Sequence, residues 1–294
     1  MKNKNNMAKV LITISMLIFG TLGVFINLIA LPSGIIAFAR SSIGALFLFL
    51  FMKITGRKLS IETIKKNILK LFVSGTLIGI NWIFLFEAYR RTSVPKAEIT
   101  YSMCPIFVVL ASPLVFREKL SPKKILCIIT AFIGMIFISG VLINHSNQTN
   151  NANDIYGILL ALAAAIFYAI AVMLNKSGYN MPTVESTAIQ LAFIPLSIFP
   201  YIFMTQNLSA ITLSNLQIML LIILGIAHTG IAFSCYFASI ESLSTQSIAV
   251  LTYIDPIASI LLSVAVLRQT MNIYEIFGTF LILSATYISE RTNE

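Results

Sequence analysis

The stretch Lys96–Leu120, KAEITYSMCPIFVVLASPLVFREKL, decides how this chain reads. Its apolar core is long enough to cross a bilayer, since about 20 helical residues span ~30 Å of hydrocarbon. The step Cys104-Pro105 interrupts it midway, where proline removes a backbone donor. The charge cluster Arg117-Glu118-Lys119 ends it. The pattern returns 151 residues later: Pro105 maps to Pro256, Ile106 to Ile257, Leu110 to Leu261, Ser112 to Ser263, Val115 to Val266 and Arg117 to Arg268. A membrane span that recurs at this offset implies a duplicated chain.

Composition agrees with the membrane reading. Of 294 residues, 57% are hydrophobic and 11% charged, where soluble domains carry roughly 25% charge. So few charges cannot cover a soluble fold of this size, so lipid must solvate it. Cys104, Cys127 and Cys235 all lie in apolar runs and read as small buried hydrophobes. No metal or redox spacing occurs, and no cofactor is expected. The net charge of +9 comes from short loops without aromatic interleaving. It points to membrane topology and away from nucleic acid.

Ten spans follow from the hydropathy. The first five are Val10–Ala30, Ile35–Ile54, Leu71–Tyr89, Val94–Phe116 and Lys123–Ile143. Val10–Ala30 is too long for a signal-peptide core and lacks a small-x-small cleavage site, so it reads as a retained span. Lys53–Lys70 reads as a basic amphipathic connector, and Ser121-Pro122 as a helix cap with proline in the first turn. The polar linker Asn144–Asp154 divides the chain. Five more spans follow: Ile155–Leu174, Thr187–Met204, Ile218–Ile240, Ser247–Leu267 and Ile273–Ser289. The expected units are a first repeat at 1–145, a polar extracytoplasmic linker at 146–153 and a second repeat at 154–294.

Charge placement sets the expected orientation. With the N-terminus in the cytoplasm, 15 of the 20 Lys and Arg residues fall in cytoplasmic segments. Arg90, Arg91, Lys96 and Arg268 fall outside, and Arg40 lies within a span. That bias places both termini inside a multi-pass cytoplasmic membrane protein. Five spans per half force the two copies into the bilayer in opposite senses. The expected fold is therefore an all-α membrane protein of ten helices in two inverted five-helix repeats. This architecture offers two near-equivalent packings, one open to each side, as in many secondary transporters.

The residues resemble the drug/metabolite transporter superfamily, in particular its EamA-type ten-helix members, over nearly the whole chain. The resemblance rests on Arg40 in FARSSIGALFLFL, on Phe86-Glu87-Ala88-Tyr89 followed by Thr92-Ser93, and on Pro105 with Arg117-Glu118-Lys119-Leu120. The terminal stretch TYIDPIASILLSVAVLRQTMNIYEIFGTFLILSATYIS looks like the family's second-repeat signature. Two departures stand out. Gln269 takes the place of a common glutamate, and Phe19-Gly20 that of a frequent Trp-Gly pair. The resemblance implies transport of a small metabolite, amino acid or drug-like solute, driven by an ion gradient or by exchange, and leaves the substrate open.

Charged and polar groups at membrane depth are the site candidates. Asp255, beside Pro256 in the ninth span, could hold a cationic group or take up a proton; its structural alternative is a carboxylate bonded to neighbouring helices. Glu98 suits an outer gate or a partner for Lys96 or Arg91, with an interfacial charge as the alternative. Tyr101 and Tyr253 sit at equivalent levels of the two symmetric spans and could present hydroxyls or aromatic faces. Arg40 either holds a gating or anionic partner or serves structurally near the outer interface. Asn81, Trp82, Tyr168, His228 and Tyr236 are further polar groups, some of which should line a cavity. Two other functions are open to such a chain. A flippase for a lipid or lipid-linked precursor could use the same fold. An intramembrane enzyme would need a nucleophile–base pair or a metal set, and the two histidines supply no such set. The expected partners are a small-molecule substrate and the bilayer, with the protein a monomer or homodimer.

Overall fold

A computed structural model describes residues 2–57, 59–115, 120–139, 151–176, 178–208, 211–240, 242–243 and 245–291. The Arg117-Glu118-Lys119 cluster, His145 and most of the linker, with its 145/146 boundary, lie outside the described residues.

The helices are α1 (Lys2–Gly20), α2 (Leu22–Leu28), α3 (Ser33–Ile54), α4 (Ile61–Arg91), α5 (Val94–Tyr101), α6 (Cys104–Val115) and α7 (Pro122–Ile138). The second half has α8 (Asn151–Lys176), α9 (Thr183–Thr205), α10 (Asn215–Ile223), a π-helical segment (Leu224–Ile231), α11 (Ala232–Ile240), α12 (Thr245–Thr252), α13 (Ile254–Leu267) and α14 (Ile273–Arg291). No strand occurs among the described residues. Seven helical stretches are long and apolar enough to cross a membrane, and the shorter α7, α12–α13 and α14 complete ten passes. Leu114, Phe203, Met204 and Phe280 are among the large apolar side chains on the outside of the bundle, where lipid solvates them.

The two spans that carry Pro105 and Pro256 break at the same place, whereas α9 runs unbroken through Pro195 and Pro200. α5 ends and α6 begins across Ser102–Met103, and α12 meets α13 at Tyr253, the repeat mate of Ser102. Each break lies two or three residues before the proline. Pro105 and Pro256 cannot donate to the carbonyls four residues back, on Tyr101 and Thr252, so the chain turns there. The expected connector also differs from expectation. Residues 61–70 belong to α4, which Ser60 caps by accepting from the Thr63 amide at 3.3 Å. A Glu62–Lys66 pair at 2.7 Å supports its first turns.

The two halves interlock. α4 packs on α8 and α9, α3 on α9 and the π segment, and α1 on α11, α12 and α13. Ser15 of α1 donates to the Ala232 carbonyl at 2.8 Å. The last helix of each half meets its counterpart at Gly134 and Gly278, where each glycine lies against the other's backbone oxygen. Under the 151-residue offset, Gly134 maps to Ala285 and Gly278 to Cys127, which are buried in the same apolar cluster.

Candidate functional site

A cavity of about 360 Å³ lies between the halves. Repeat mates line it together. Trp82 has Phe233 as its mate, Leu85 has Tyr236, and Arg40 on α3 corresponds to Gln190–Leu191 on α9; all of them line the space. A cavity lined by mates from both halves lies on the pseudo-two-fold relation between them.

Seven of the ten residues singled out from the sequence line this cavity: Arg40, Trp82, Glu98, Tyr101, Tyr168, Tyr236 and Asp255. The helix breaks account for three of them. Glu98 and Tyr101 are on the last turns of α5, and Asp255 opens α13. Gly20 lets α1 approach that turn, because a Cβ there would sit 2.9 Å from the Asp255 carbonyl oxygen. Phe19, in the unusual Phe19-Gly20 pair, then forms cavity wall against Phe233 at 5.4 Å.

The polar groups are held differently from expectation. Of the readings for Glu98, neither the pairing with Lys96 or Arg91 nor the interfacial charge matches the structure: it accepts a hydrogen bond from the Tyr89 hydroxyl, and only 6% of it is exposed. Arg40 does not sit at an interface. It is 2% exposed, its Nε donates to Thr229 Oγ1 at 3.0 Å, and its guanidinium lies 4.1 Å from the Trp82 ring centroid. Asp255 lies within electrostatic reach of both Arg40 and Glu98, yet among the described residues no ion pair joins Arg40 to either carboxylate. Tyr101 and Tyr168 pack with ring centroids 5.9 Å apart.

Three candidates lie elsewhere. Asn81 is fully buried and donates to the Ala164 carbonyl at 2.7 Å, tying α4 to α8. His228 lies 2.7 Å from the Thr21 hydroxyl, which itself donates to the Ile18 carbonyl, so the ring nitrogen Nε2 is the donor. Tyr253 packs edge-on against Tyr287 at the α12–α13 break. The structure adds Tyr89, Thr229, Asn175 and Gln190. Tyr89 stood inside a quoted motif; Thr229 owes its position to the π segment, which no spacing rule marks.

The two ends of the cavity differ. Towards the linker side, Lys96 bridges Asp154 at 2.6 Å and Glu275 at 3.0 Å, joining α5 to α8 and α14. Thr92 also donates to Asp154, and the Gln269 side-chain oxygen accepts from the Val94 amide at 2.9 Å. The Arg90-Arg91 charges are spent locally. Arg90 donates to the carbonyls of Ile29 and Leu31, and Arg91 pairs with Glu87 at 2.9 Å. Towards the other side the lining reaches Asn175, Thr183 and Thr187. There Asn175 accepts from Ser74 at 2.9 Å and from Gln190 at 3.0 Å. Among the described residues no cluster of His, Cys, Asp or Glu could hold a metal ion.

Comparison with known proteins agrees with this architecture. The EamA-like transporter family matches twice, at residues 6–140 and 155–290. An uncharacterized transporter, YxxF, of Bacillus subtilis is 30% identical over 94% of this chain and 87% of its own length. A riboflavin transporter of Brucella anthropi is 26% identical over 88% of this chain and 83% of its own. A crystal structure at 18% identity superposes with a TM-score of 0.63 over 98% of both chains, which shows the same fold. Matched in both halves and aligned nearly end to end with a transporter relative, the chain belongs to the EamA-like transporter family.

Proposed function

We propose that the protein is a secondary active transporter that moves a small solute across the cytoplasmic membrane by alternating access, with both termini in the cytosol. The observation that carries this reading is the cavity lined by repeat mates from two inverted halves. Two copies related by such symmetry have two equivalent ways to close, one at each face. Asp255 and Glu98 are the groups that couple transport to protons or to exchange. The linker side is the outer face, and the Lys96 bridge is its latch.

The test is uptake and counterflow of radiolabelled amino acids, organic acids and amines into proteoliposomes, with and without a pH gradient. At least one solute should accumulate several-fold above protein-free vesicles, and accumulation should collapse when the gradient is dissipated. Lipid-analogue movement without solute flux would replace this reading with the flippase.

The latch gives a separate expectation. Lys96→Met leaves Asp154 and Glu275 facing each other without their shared cation, which favours the state open to the outside. A loss of about 1.4 kcal/mol from the closed state shifts the equilibrium tenfold. With Cys104, Cys127 and Cys235 replaced by alanine, a cysteine at the cavity-lining position Leu85 should react about tenfold faster with an impermeant thiol reagent added outside when Lys96→Met is present. An unchanged rate would remove Lys96 from the gate.

A further inference from the structure

We propose that Arg40 is the docking group for a carboxylate on the transported solute, presented to the cavity by Thr229 and Trp82. The inference rests on the transport reading and names the chemistry of what is carried.

Arg40 is nearly completely buried yet, among the described residues, satisfies only one of its donor nitrogens. Among the described residues its single hydrogen bond is Nε to Thr229 Oγ1, and the buried Nη1 has no partner. The Nη1–Nη2 edge, the fork that matches a carboxylate, therefore has no protein acceptor. A buried guanidinium left this way is costly unless something arriving in the cavity satisfies it. Its position is held from two sides. Trp82 stacks on one face at 4.1 Å. Thr229 also lies 3.3 Å from the Leu224 carbonyl five residues back, a reach that belongs to the wide π turn. Gly44 makes room for the Thr229 side chain, because a Cβ there would lie 2.3 Å from Thr229 Cγ2. The helix irregularity, the glycine and the aromatic face thus all serve one guanidinium.

Charge balance selects a carboxylate over a more highly charged anion. The cavity holds one guanidinium against Asp255 and Glu98. A ligand's second negative charge would double its repulsion from the two acids, so a monoanion is favoured over a phosphate dianion. The walls select the body of the ligand. Tyr101, Tyr168, Phe233 and Tyr236 line the same cavity and favour a flat apolar group attached to the acid.

Trp82 is the only tryptophan in the chain, so its fluorescence reports on this site. The experiment titrates the purified full-length protein in nanodiscs with phenylacetate, 3-phenylpropionate and cyclohexanecarboxylate, each against its neutral carboxamide. At least one acid should give a saturable change in emission and bind roughly 10- to 100-fold more tightly than its amide, the worth of a charge-assisted hydrogen bond. Arg40→Gln should reduce that ratio to about one, and Thr229→Val should lower it several-fold while the fold stays intact. Equal binding of every acid and its amide, or no saturable response to any of them, overturns the proposal. So does an unchanged ratio in Arg40→Gln, or in Thr229→Val where the Arg40 variant fails to fold. Proteoliposome flux of amines or neutral solutes that none of these acids inhibits would leave transport standing and end the carboxylate subsite alone.

Discussion

Asp255→Asn is expected to lower gradient-driven accumulation by about 100-fold while the protein becomes more stable. The carboxylate opens α13 at membrane depth, lines the cavity, and among the described residues makes neither an ion pair nor a hydrogen bond. A charge so placed costs about 2.5–3.5 kcal/mol, which is roughly a hundredfold in an equilibrium. Asparagine keeps the shape, removes the charge and takes up no proton, so the folded state gains part of that energy and coupling is lost. Thermal unfolding in detergent should shift upward by a few degrees. Equilibrium exchange of solute across the membrane should persist, because it needs no net proton movement. Wild-type accumulation in Asp255→Asn would show that the acid is a packing element. A fall in stability would show that it has a partner worth more than its burial costs.

Much of the architecture was legible because its causes are local or repetitive. Pro105 and Pro256 announced the two helix breaks, and the 151-residue offset located one from the other. The actual breaks come a turn early, at Ser102 and Tyr253, because a proline disturbs the hydrogen bond of the carbonyl behind it more than its own position. The start of α4 was hidden for the opposite reason. Its first turns carry Glu62, Lys65, Lys66 and Lys70 alongside Ile61, Ile64, Ile68 and Leu69, too many charges for a bilayer span, so hydropathy placed the helix ten residues late, while the Ser60 cap was the better signal.

The site was less legible, because burial direction depends on how helices rotate against each other. Asn81 and Trp82 are neighbours in sequence, yet one is spent on the Ala164 carbonyl and the other forms cavity wall. Spacing gave no way to separate them. The interfacial reading of Arg40 rested on its place near the beginning of its span; the packing of α3 on the π segment puts it against Thr229 instead. His228 is polar and buried, the profile of a functional group, but Thr21 and Phe25 occupy it. The rule that polar groups avoid lipid held for all of these residues. It does not say whether each one faces a cavity or another helix.

Gly134→Leu should prevent accumulation of folded protein, without touching the cavity. In water, helices associate by burying apolar surface; in lipid that force is missing, and association rests on close packing. α7 and α14 join the two halves at a crossing where a Cβ on Gly134 would lie 2.8 Å from the Gly278 carbonyl oxygen and 2.8 Å from Ile282. A Cβ on Gly278 would lie 2.6 Å from the Gly134 oxygen. Backbone is on both sides, so no flexible side chain can swing away to relieve the clash, and the helices must separate. That forfeits dispersion contacts along the whole seam and costs about 3 kcal/mol or more. Gly134→Ala should be milder but still destabilising, and Leu114→Ala, on a side chain 88% exposed, should be neutral. Membrane-fraction yield and size-exclusion profiles of the three variants check the order. If Gly134→Leu elutes and melts like the wild type, the two repeats do not meet along α7 and α14.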